Sequence, residues 1–313
     1  MQAYIARRLV TMVPIVVLVG TIVFLLLHLT PGDPAVIMLG PDAPADAVTQ
    51  LRHDLGLDLP LYVQWGRWFE RVLRGDLGRS IFFGLPVTTV MRQHLVPTVF
   101  LSLLAILIAA GIGVPAGILS AVRRGSWLDQ TVTLTAFLGV SIPEFWLALN
   151  LVLLFAVQLG LLPVAGYAPP AQGVGRTLTY LALPAFTMGF VQSALIARMT
   201  RAAMLEVVAQ DYIRTAHAKG LSFWQVTLRH TFPNALIAVV TVVGIVFSVM
   251  MGGNVVAETI FTIPGIGQLL MSSVLRRDYP VIQGIVLLVA TAYVVINLLV
   301  DVVYAFVDPR IRY

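Results

Sequence analysis

Positions 96–122 read VPTVFLSLLAILIAAGIGVPAGILSAV, an apolar run that contains no charged side chain. The hydrocarbon core of a bilayer is about 30 Å thick, and about 20 apolar residues in helical form cross it. A helix satisfies all of its backbone hydrogen bonds internally, which lipid requires because it offers no partner of its own. The run therefore predicts a membrane-spanning helix, and it decides the fold class.

Five further long runs are predominantly apolar, and they occupy positions 9–29, 130–159, 178–200, 235–257 and 281–307. Together the six runs predict an all-α polytopic membrane protein with six transmembrane helices. The composition agrees, because 58% of the 313 residues are hydrophobic and 11% are charged, against about 25% charged in soluble domains. The first run is longer than the roughly 7–15 apolar residues of a signal peptide, so we expect an uncleaved span.

The basic residues between the runs predict the orientation. Arginines at positions 7–8, 123–124 and 198–229 fall on one side of a six-span chain, and short cytoplasmic loops carry such an excess. Both termini are therefore expected in the cytoplasm.

The chain divides into three expected regions. Residues 1–30 hold the N-terminal segment and the first span, and residues 31–95 form an extracytoplasmic region with short amphipathic helices. Residues 96–313 form the transmembrane core, with a polar cytoplasmic loop at 201–233.

Two short helices are expected in the extracytoplasmic region. After Pro60, apolar residues recur at helical spacing as far as Val72, and Trp65 and Trp68 suit a helix at the level of the lipid headgroups. A second short helix is expected from Pro86 to Leu95. Such helices either lie on the membrane or form part of a landing surface for another protein.

The polar loop contains the sequence DYIRTAHAKGLS at 211–222. Asp211 is placed to cap a short helix, and Gly220 is placed to end it in a left-handed conformation. Ser222 and Gln225 have the spacing of a capping box for a second helix, before Pro233 returns the chain to the membrane. This pattern predicts a rigid helical hairpin. It suits a simple surface hairpin, and it also suits an element through which an external motor moves the spans.

No catalytic, metal or nucleotide site is expected within this chain. It has no cysteine, its five histidines lack ligand spacing, and the phosphate-binding pattern G-x-x-x-x-G-K-[ST] is missing from the sequence. The scattered basic residues do not form the stripe of a nucleic-acid-binding protein.

The hairpin sequence YIRTAHAKG at 212–220, followed by Phe232 and Pro233, resembles the inner-membrane permeases of dipeptide, oligopeptide and nickel-type ABC importers, specifically the first permease of the pair. The resemblance covers essentially the whole chain. It includes TPGDPA at 30–35, GDLGRS at 75–80, SIPEF at 141–145, LPVAGY at 162–167, ETIFTIPGIG at 258–267, RDYPVIQG at 277–284 and DPRIRY at 308–313.

This resemblance implies a type I ABC importer permease fold in a bacterial inner membrane. It also implies a heterodimer with a second, related permease, two ATP-binding subunits that bind ATP and Mg²⁺, and an extracytoplasmic solute-binding protein that delivers peptides. The family motif begins with a Glu-Ala-Ala triplet, whose places Arg214, Thr215 and Ala216 take here, so the role of that Glu is not carried over. The residues expected at the ATPase contact are Arg214, Thr215, Ala216, Lys219, Gly220, Leu221 and Pro233.

Polar residues within apolar runs are functional candidates, because they are costly in lipid. Glu144, Asn150, Asn254 and Glu258 are the candidates for the translocation path. A helix-packing contact between Glu144 and a neighbouring arginine, and an interfacial position for Glu258, are the competing explanations.

Three other functions compete with peptide import. A nickel or chelated-metal permease of the same family differs only in its substrate. A secondary transporter driven by an ion gradient would be favoured by paired acidic residues in inverted repeats, which the sequence lacks. An intramembrane enzyme would need a Ser/His or metal-ligand pair, which the sequence lacks as well.

Overall fold

The computed structural model describes residues 2–29, 33–40, 43–54 and 56–307. These residues form helices and no strand, apart from a single bridge between Arg79 and Pro86. Residues 30–32 of the TPGDPA motif and the DPRIRY motif at 308–313 lie outside the described residues.

Fourteen α-helices occur in the described part of the chain, and their bounds follow in chain order. They are α1 Gln2–Leu29, α2 Pro34–Leu39, α3 Ala45–Asp54, α4 Leu61–Leu73, α5 Val87–Val122, α6 Trp127–Ser141, α7 Glu144–Leu151, α8 Val174–Val208, α9 Asp211–Ala218, α10 Phe223–Val226, α11 Phe232–Met251, α12 Val255–Ile260, α13 Ile266–Leu275 and α14 Tyr279–Val307. Two π-helical stretches extend α7 and α10, at Val152–Gln158 and Thr227–Thr231, and a 3₁₀ turn covers Pro170–Gln172.

Four continuous helices are long and apolar enough to cross a membrane: Val87–Val122, Val174–Val208, Phe223–Met251 and Tyr279–Val303. The bent pair of α6 and α7 adds a fifth span when it is counted as one. The first predicted run lies in α1, which has 28 residues, and at 1.5 Å per residue it is long enough to be the sixth. The all-α polytopic fold is confirmed.

The second span begins earlier than the sequence predicts. The helix expected to end at Leu95 is the start of α5, which continues without interruption through Pro97. Val87, Val90 and Met91 are buried against α13 and α14, so tertiary packing holds these first turns in the helix.

The third and fifth predicted runs are broken rather than continuous. Pro143 disfavours a helical conformation at Ile142, whose backbone is extended, and α6 and α7 meet there at 99°. In the fifth run α11 ends before Gly253, whose φ is +86°. A Cβ at Gly253 would lie 2.7 Å from the backbone nitrogen of Gly267, so the chain approaches itself too closely there for any side chain.

Small residues bring α5 and α8 together. A Cβ added to Gly113 or Gly117 in α5 would lie 2.7 or 2.6 Å from the carbonyl oxygens of Ser193 and Ala197 in α8. Such close approach is typical of small residues four apart in membrane helices. The residue numbers of the contacting positions increase together along both helices, so α5 and α8 run parallel. The α6–α7 pair between them therefore returns the chain to the other side of the bundle.

The remaining long helices run antiparallel to their neighbours. Ser102 in α5 donates a hydrogen bond to the carbonyl of Met250, while Ala121 lies in a cluster with Ala235. The pairing of α11 with α14 and that of α14 with α1 also run in opposite directions, as Gly244 beside Val300 and Gln283 beside Val23 illustrate.

These directions define two sides of the bundle. The start of α1, the end of α14 and the segment between α8 and α11 lie on one side, which we call the hairpin side. The segment before α5 and the start of α14 lie on the opposite side.

The amphipathic helix α4 packs on α1. The indole Nε1 of Trp65 donates to the hydroxyl of Thr21 at 3.1 Å, and the ring of Trp68 lies 5.8 Å from that of Phe24. Both tryptophans therefore contact the first span, in addition to the interfacial position that the sequence suggested.

Candidate functional site

The polar segment between α8 and α11 folds as the expected helical hairpin, which α9 and α10 form. Ile213 and Ala216 of α9 are buried against Val226, with Val207 and Leu221 packed around them. This small apolar core makes the hairpin a rigid body. Since α8 extends to Val208, the hairpin continues directly from a membrane span.

Its two turns have the predicted chemistry. Gly220 has a φ of +81°, which a residue with a side chain adopts only at a cost. Ser222 and Gln225 form the capping box, in which each side chain bonds the backbone N–H of the other residue. One detail differs, because Gln210 rather than Asp211 holds the N-cap position of α9.

The predicted contact residues divide into two groups. Arg214, Thr215, Lys219 and Gly220 are exposed on the hairpin, and Pro233 is exposed at the start of α11. Ala216 is buried and Leu221 is half-buried, so these two residues belong to the apolar core beneath the exposed surface. The ion pair of Arg214 with Asp211, at 3.5 Å, is solvent-exposed and contributes little stability.

The hairpin also carries an exposed aromatic pair that was not predicted from the sequence. Phe223 and Trp224 are about half exposed, and their rings meet edge to face at 5.8 Å. The sequence signal for this pair is the occurrence of two adjacent aromatic residues directly after a capping serine. Large apolar side chains in a polar turn are unusual unless a partner covers them.

An ion pair fastens the hairpin-side end of α8 to α6. Arg201 donates from Nε and Nη2 to the two carboxylate oxygens of Asp129, both at 2.8 Å. The hydroxyl of Ser120, at the end of α5, and the backbone N–H of Gly125 also donate to this carboxylate. Three spans thus meet at one buried acid. The sequence alone does not indicate this pair, because the two residues stand 72 positions apart.

The structure brings together two of the four candidates for the translocation path. Glu144 opens α7 directly after the proline break, and Asn254 caps α12 directly after the glycine break. The amide Nδ2 of Asn254 donates to Oε1 of Glu144 at 2.7 Å. Glu144 therefore pairs with an amide and not with the arginine that the competing explanation required.

Asn150 is not part of that contact. Its side chain is exposed on α7 and donates to the carbonyl of Trp146 in the preceding turn.

Glu258 lies in α12, outside the spanning helices, and it is fully buried. It accepts hydrogen bonds from the hydroxyl of Thr98 at 2.7 Å and from the backbone N–H of Gln268 at 2.9 Å. Gln268 is in the first turn of α13, where backbone N–H groups need acceptors. Burial raises the pKa of the Glu258 carboxyl, and these hydrogen bonds oppose that rise. As seen here, its contacts hold α12, α13 and α5 together.

Comparison with known proteins supports the family resemblance along the whole chain. The model of the family "Binding-protein-dependent transport system inner membrane component" matches residues 113–313, and a model of the N-terminal part of such membrane components matches residues 1–83. A probable peptide ABC transporter permease of Sinorhizobium fredii is 44% identical, and a putative peptide transport system permease of Brucella abortus is 45% identical. A glutathione transport system permease of Salmonella paratyphi A is 41% identical; all three alignments cover 100% of both chains.

Among solved structures, an inward-facing form of the MetNI methionine ABC transporter matches with a TM-score of 0.59 at 20% identity, over 71% of this chain and 97% of that one. This likeness shows a shared fold. With the family match over most of the chain and full-length relatives above 40% identity, the chain belongs to the inner membrane components of binding-protein-dependent transport systems.

Proposed function

We propose that this chain is a permease subunit of an ABC importer of peptides and forms half of the translocation path. The observation that carries the proposal is its 41–45% identity, over full length, to permeases named for peptide and glutathione transport. These names favour peptides over nickel. They also favour an ATP-driven importer over an ion-gradient transporter.

The hairpin is the proposed contact with an ATP-binding subunit, one of the two that would bind ATP and Mg²⁺ in the complex. Its supporting features are a rigid core, exposed Arg214, Thr215 and Lys219, and the exposed pair of Phe223 and Trp224. Aromatic and arginine side chains are enriched where protein interfaces gain most of their binding energy. Because the hairpin is joined to α8 and α11, a movement of the motor would move both spans.

This assignment places the hairpin side, and with it both chain termini, in the cytoplasm. The expected extracytoplasmic region, residues 31–95, then lies on the outer face up to the start of α5 at Val87, and α5 begins the transmembrane core that the sequence predicts from residue 96. A second, homologous permease would complete the path as a heterodimer, and a solute-binding protein would deliver the peptide from outside.

The pair of Glu144 and Asn254 is the proposed polar point of the path. It lies where two helices break, and transporters bind substrates at such discontinuous helices. A carboxylate there could attract the α-amino group of a peptide. Asn150 on the exposed side of α7 could extend this point, whereas buried Glu258 would reach the path only through movement of α12.

The test is uptake by the reconstituted complex. This chain, its partner permease, both ATP-binding subunits and the binding protein are placed in vesicles, and entry of a labelled dipeptide is followed. We expect uptake that requires ATP and survives a protonophore. Uptake that continues with a hydrolysis-deficient ATP-binding subunit, or that follows an ion gradient, would overturn the proposal.

A further inference from the structure

A compact surface patch occupies the side opposite the hairpin. It consists of Phe82, Phe83, Leu85, Leu275 and Arg276, and we call it the anchored patch. Its residues come from the loop before α5 and from the end of α13, almost 200 positions apart. All five are exposed, including Phe82 at 54% and Leu275 at 72%.

A buried carboxylate holds the two segments together. Asp278 has 1% exposure and accepts hydrogen bonds from the backbone N–H groups of Ile81 and Phe82, each at 3.2 Å, and from the hydroxyl of Ser80. The same hydroxyl accepts from the N–H of Phe83 at 2.8 Å. The backbone that carries both phenylalanines is therefore fixed from beneath.

The loop is also closed across its own base. Arg79 donates to the carbonyl of Gly84 at 2.7 Å, and its backbone bridges to Pro86. The guanidinium of Arg276 lies 3.6 Å from the centre of the Phe82 ring, a cation–π contact that fixes the aromatic face. A surface that is ordered before binding loses little conformational entropy when a partner arrives.

The chemistry of the patch indicates a protein partner with an acidic rim. Exposed Arg79, Arg276 and Arg277 belong to the two segments that form the patch, and Arg276 covers the ring of Phe82. The carboxylate beneath the phenylalanines, that of Asp278, is buried and accepts hydrogen bonds, and the exposed carboxylate of the same loop is Asp76. Aromatic and arginine residues are enriched in the centres of protein interfaces, and charges at the rim steer association.

The patch also connects directly to the proposed path. Leu275 ends α13, and the first turn of α13 is bonded to Glu258 in α12. Helix α12 begins after Asn254, the partner of Glu144. A protein that binds the patch would therefore act on α13 and α12, the helices that connect the patch to this pair.

We propose that the anchored patch is a docking surface for the substrate-delivering binding protein. The family depends on such a protein, and the patch lies on the side away from the hairpin, where the ATP-binding subunits are proposed to dock. This inference rests on the proposed function, since it takes the hairpin side to be cytoplasmic.

The experiment measures affinity of the binding protein for the assembled complex in lipid nanodiscs, comparing the wild type with Phe82→Ala and Arg276→Glu. Trp127→Ala is the matched control, because Trp127 is an exposed aromatic residue at the start of α6, on the hairpin side, at 74% exposure. We expect each patch variant to bind at least about tenfold more weakly and Trp127→Ala to bind like the wild type. Arg276→Glu should also weaken the salt dependence of the association rate.

Unchanged affinity in both patch variants would overturn the proposal. So would loss of the second permease from the purified complex, which would identify the patch as a contact between permeases. Weaker binding by Trp127→Ala to the same degree would also count against it. If the wild-type complex transports peptide while the patch variants bind normally, only this inference fails; if the wild type does not transport peptide, the proposed function fails.

Discussion

Arg201 donates hydrogen bonds to both carboxylate oxygens of Asp129, and this ion pair joins the end of α8 beside the hairpin to the start of α6. Asp129 is almost fully buried, whereas the Arg201 side chain is 30% exposed. Helix α6 leads in turn to the proline break and to Glu144. The pair thus provides a physical connection between the hairpin and the proposed path, through α6.

Removal of one partner should destabilise this junction. Asp129→Ala leaves Arg201 unpaired and the hydroxyl of Ser120 without its acceptor, at an expected cost of about 2–4 kcal/mol in the free energy of unfolding. The double exchange Asp129→Arg with Arg201→Asp should recover part of this loss. Thermal unfolding of the purified complex measures both, and a stable Asp129→Ala single variant would contradict the structural role.

The left-handed backbone at Gly220 should matter more for transport than for folding. No atom lies within 4 Å of a Cβ placed there, so Gly220→Trp adds only the backbone strain, about 1–2 kcal/mol, while its indole obstructs the docking surface. We expect ATP-driven uptake to be lost from a protein that still inserts and folds.

Gly75→Trp is the matched control, since Gly75 has a φ of +79° and equally open surroundings on the other side of the bundle. Uptake assays on both variants decide the point. Normal uptake by Gly220→Trp would remove the hairpin from the ATPase contact.

Close packing of α5 on α8 should make Gly113 intolerant of a methyl group. A Cβ would come within 2.7 Å of a backbone carbonyl, and overpacking of this kind costs about 1–3 kcal/mol. Gly111, two residues away, has no atom within 4 Å of its Cβ position, so Gly111→Ala should be neutral. A comparison of melting temperatures tests this, and equal values for the two variants would be inconsistent with the described register.

These contacts explain which features the sequence could predict. Long apolar runs depend only on local composition, so the six runs were recognisable, as were the hairpin, its capping box and the left-handed Gly220, but not the N-cap of α9. The helix α13 was missed because IGQLLMSSVL is short and follows a Pro-Gly turn. The pairs Arg201–Asp129 and Asn254–Glu144 join residues 72 and 110 positions apart. Only the folded arrangement of the spans reveals such pairs.

The burial of Glu258 predicts a pH-dependent contribution to stability. Because its pKa is raised in the folded state, the carboxyl favours folding most when it is protonated, below its usual pKa of about 4.3. That contribution is lost as the pH rises through the folded-state pKa. Glu258→Gln imitates the protonated form, so the wild type should lose stability relative to this variant as the pH increases.

Thermal unfolding of wild type and Glu258→Gln across a pH series measures this difference. A constant difference between them over the whole series would show that Glu258 does not titrate in this way. Glu258→Ala should be destabilised at every pH, because Thr98 and the first turn of α13 lose their acceptor.

The proposed role of Glu144 predicts a specific change in substrate preference. Glu144→Gln keeps an oxygen that can accept the hydrogen bond from Asn254, but it removes the charge that would attract a peptide amino group. We expect a dipeptide with a free amino group to lose about tenfold in uptake efficiency, equivalent to about 1.4 kcal/mol. An N-acetylated dipeptide should be transported equally by the wild type and the variant, because it lacks that positive charge. Competition between the two labelled peptides in the reconstituted complex measures the coupling between carboxylate and amino group, as a double-mutant cycle does. A parallel loss for both peptides would assign Glu144 to helix packing through Asn254 and leave substrate recognition to other residues.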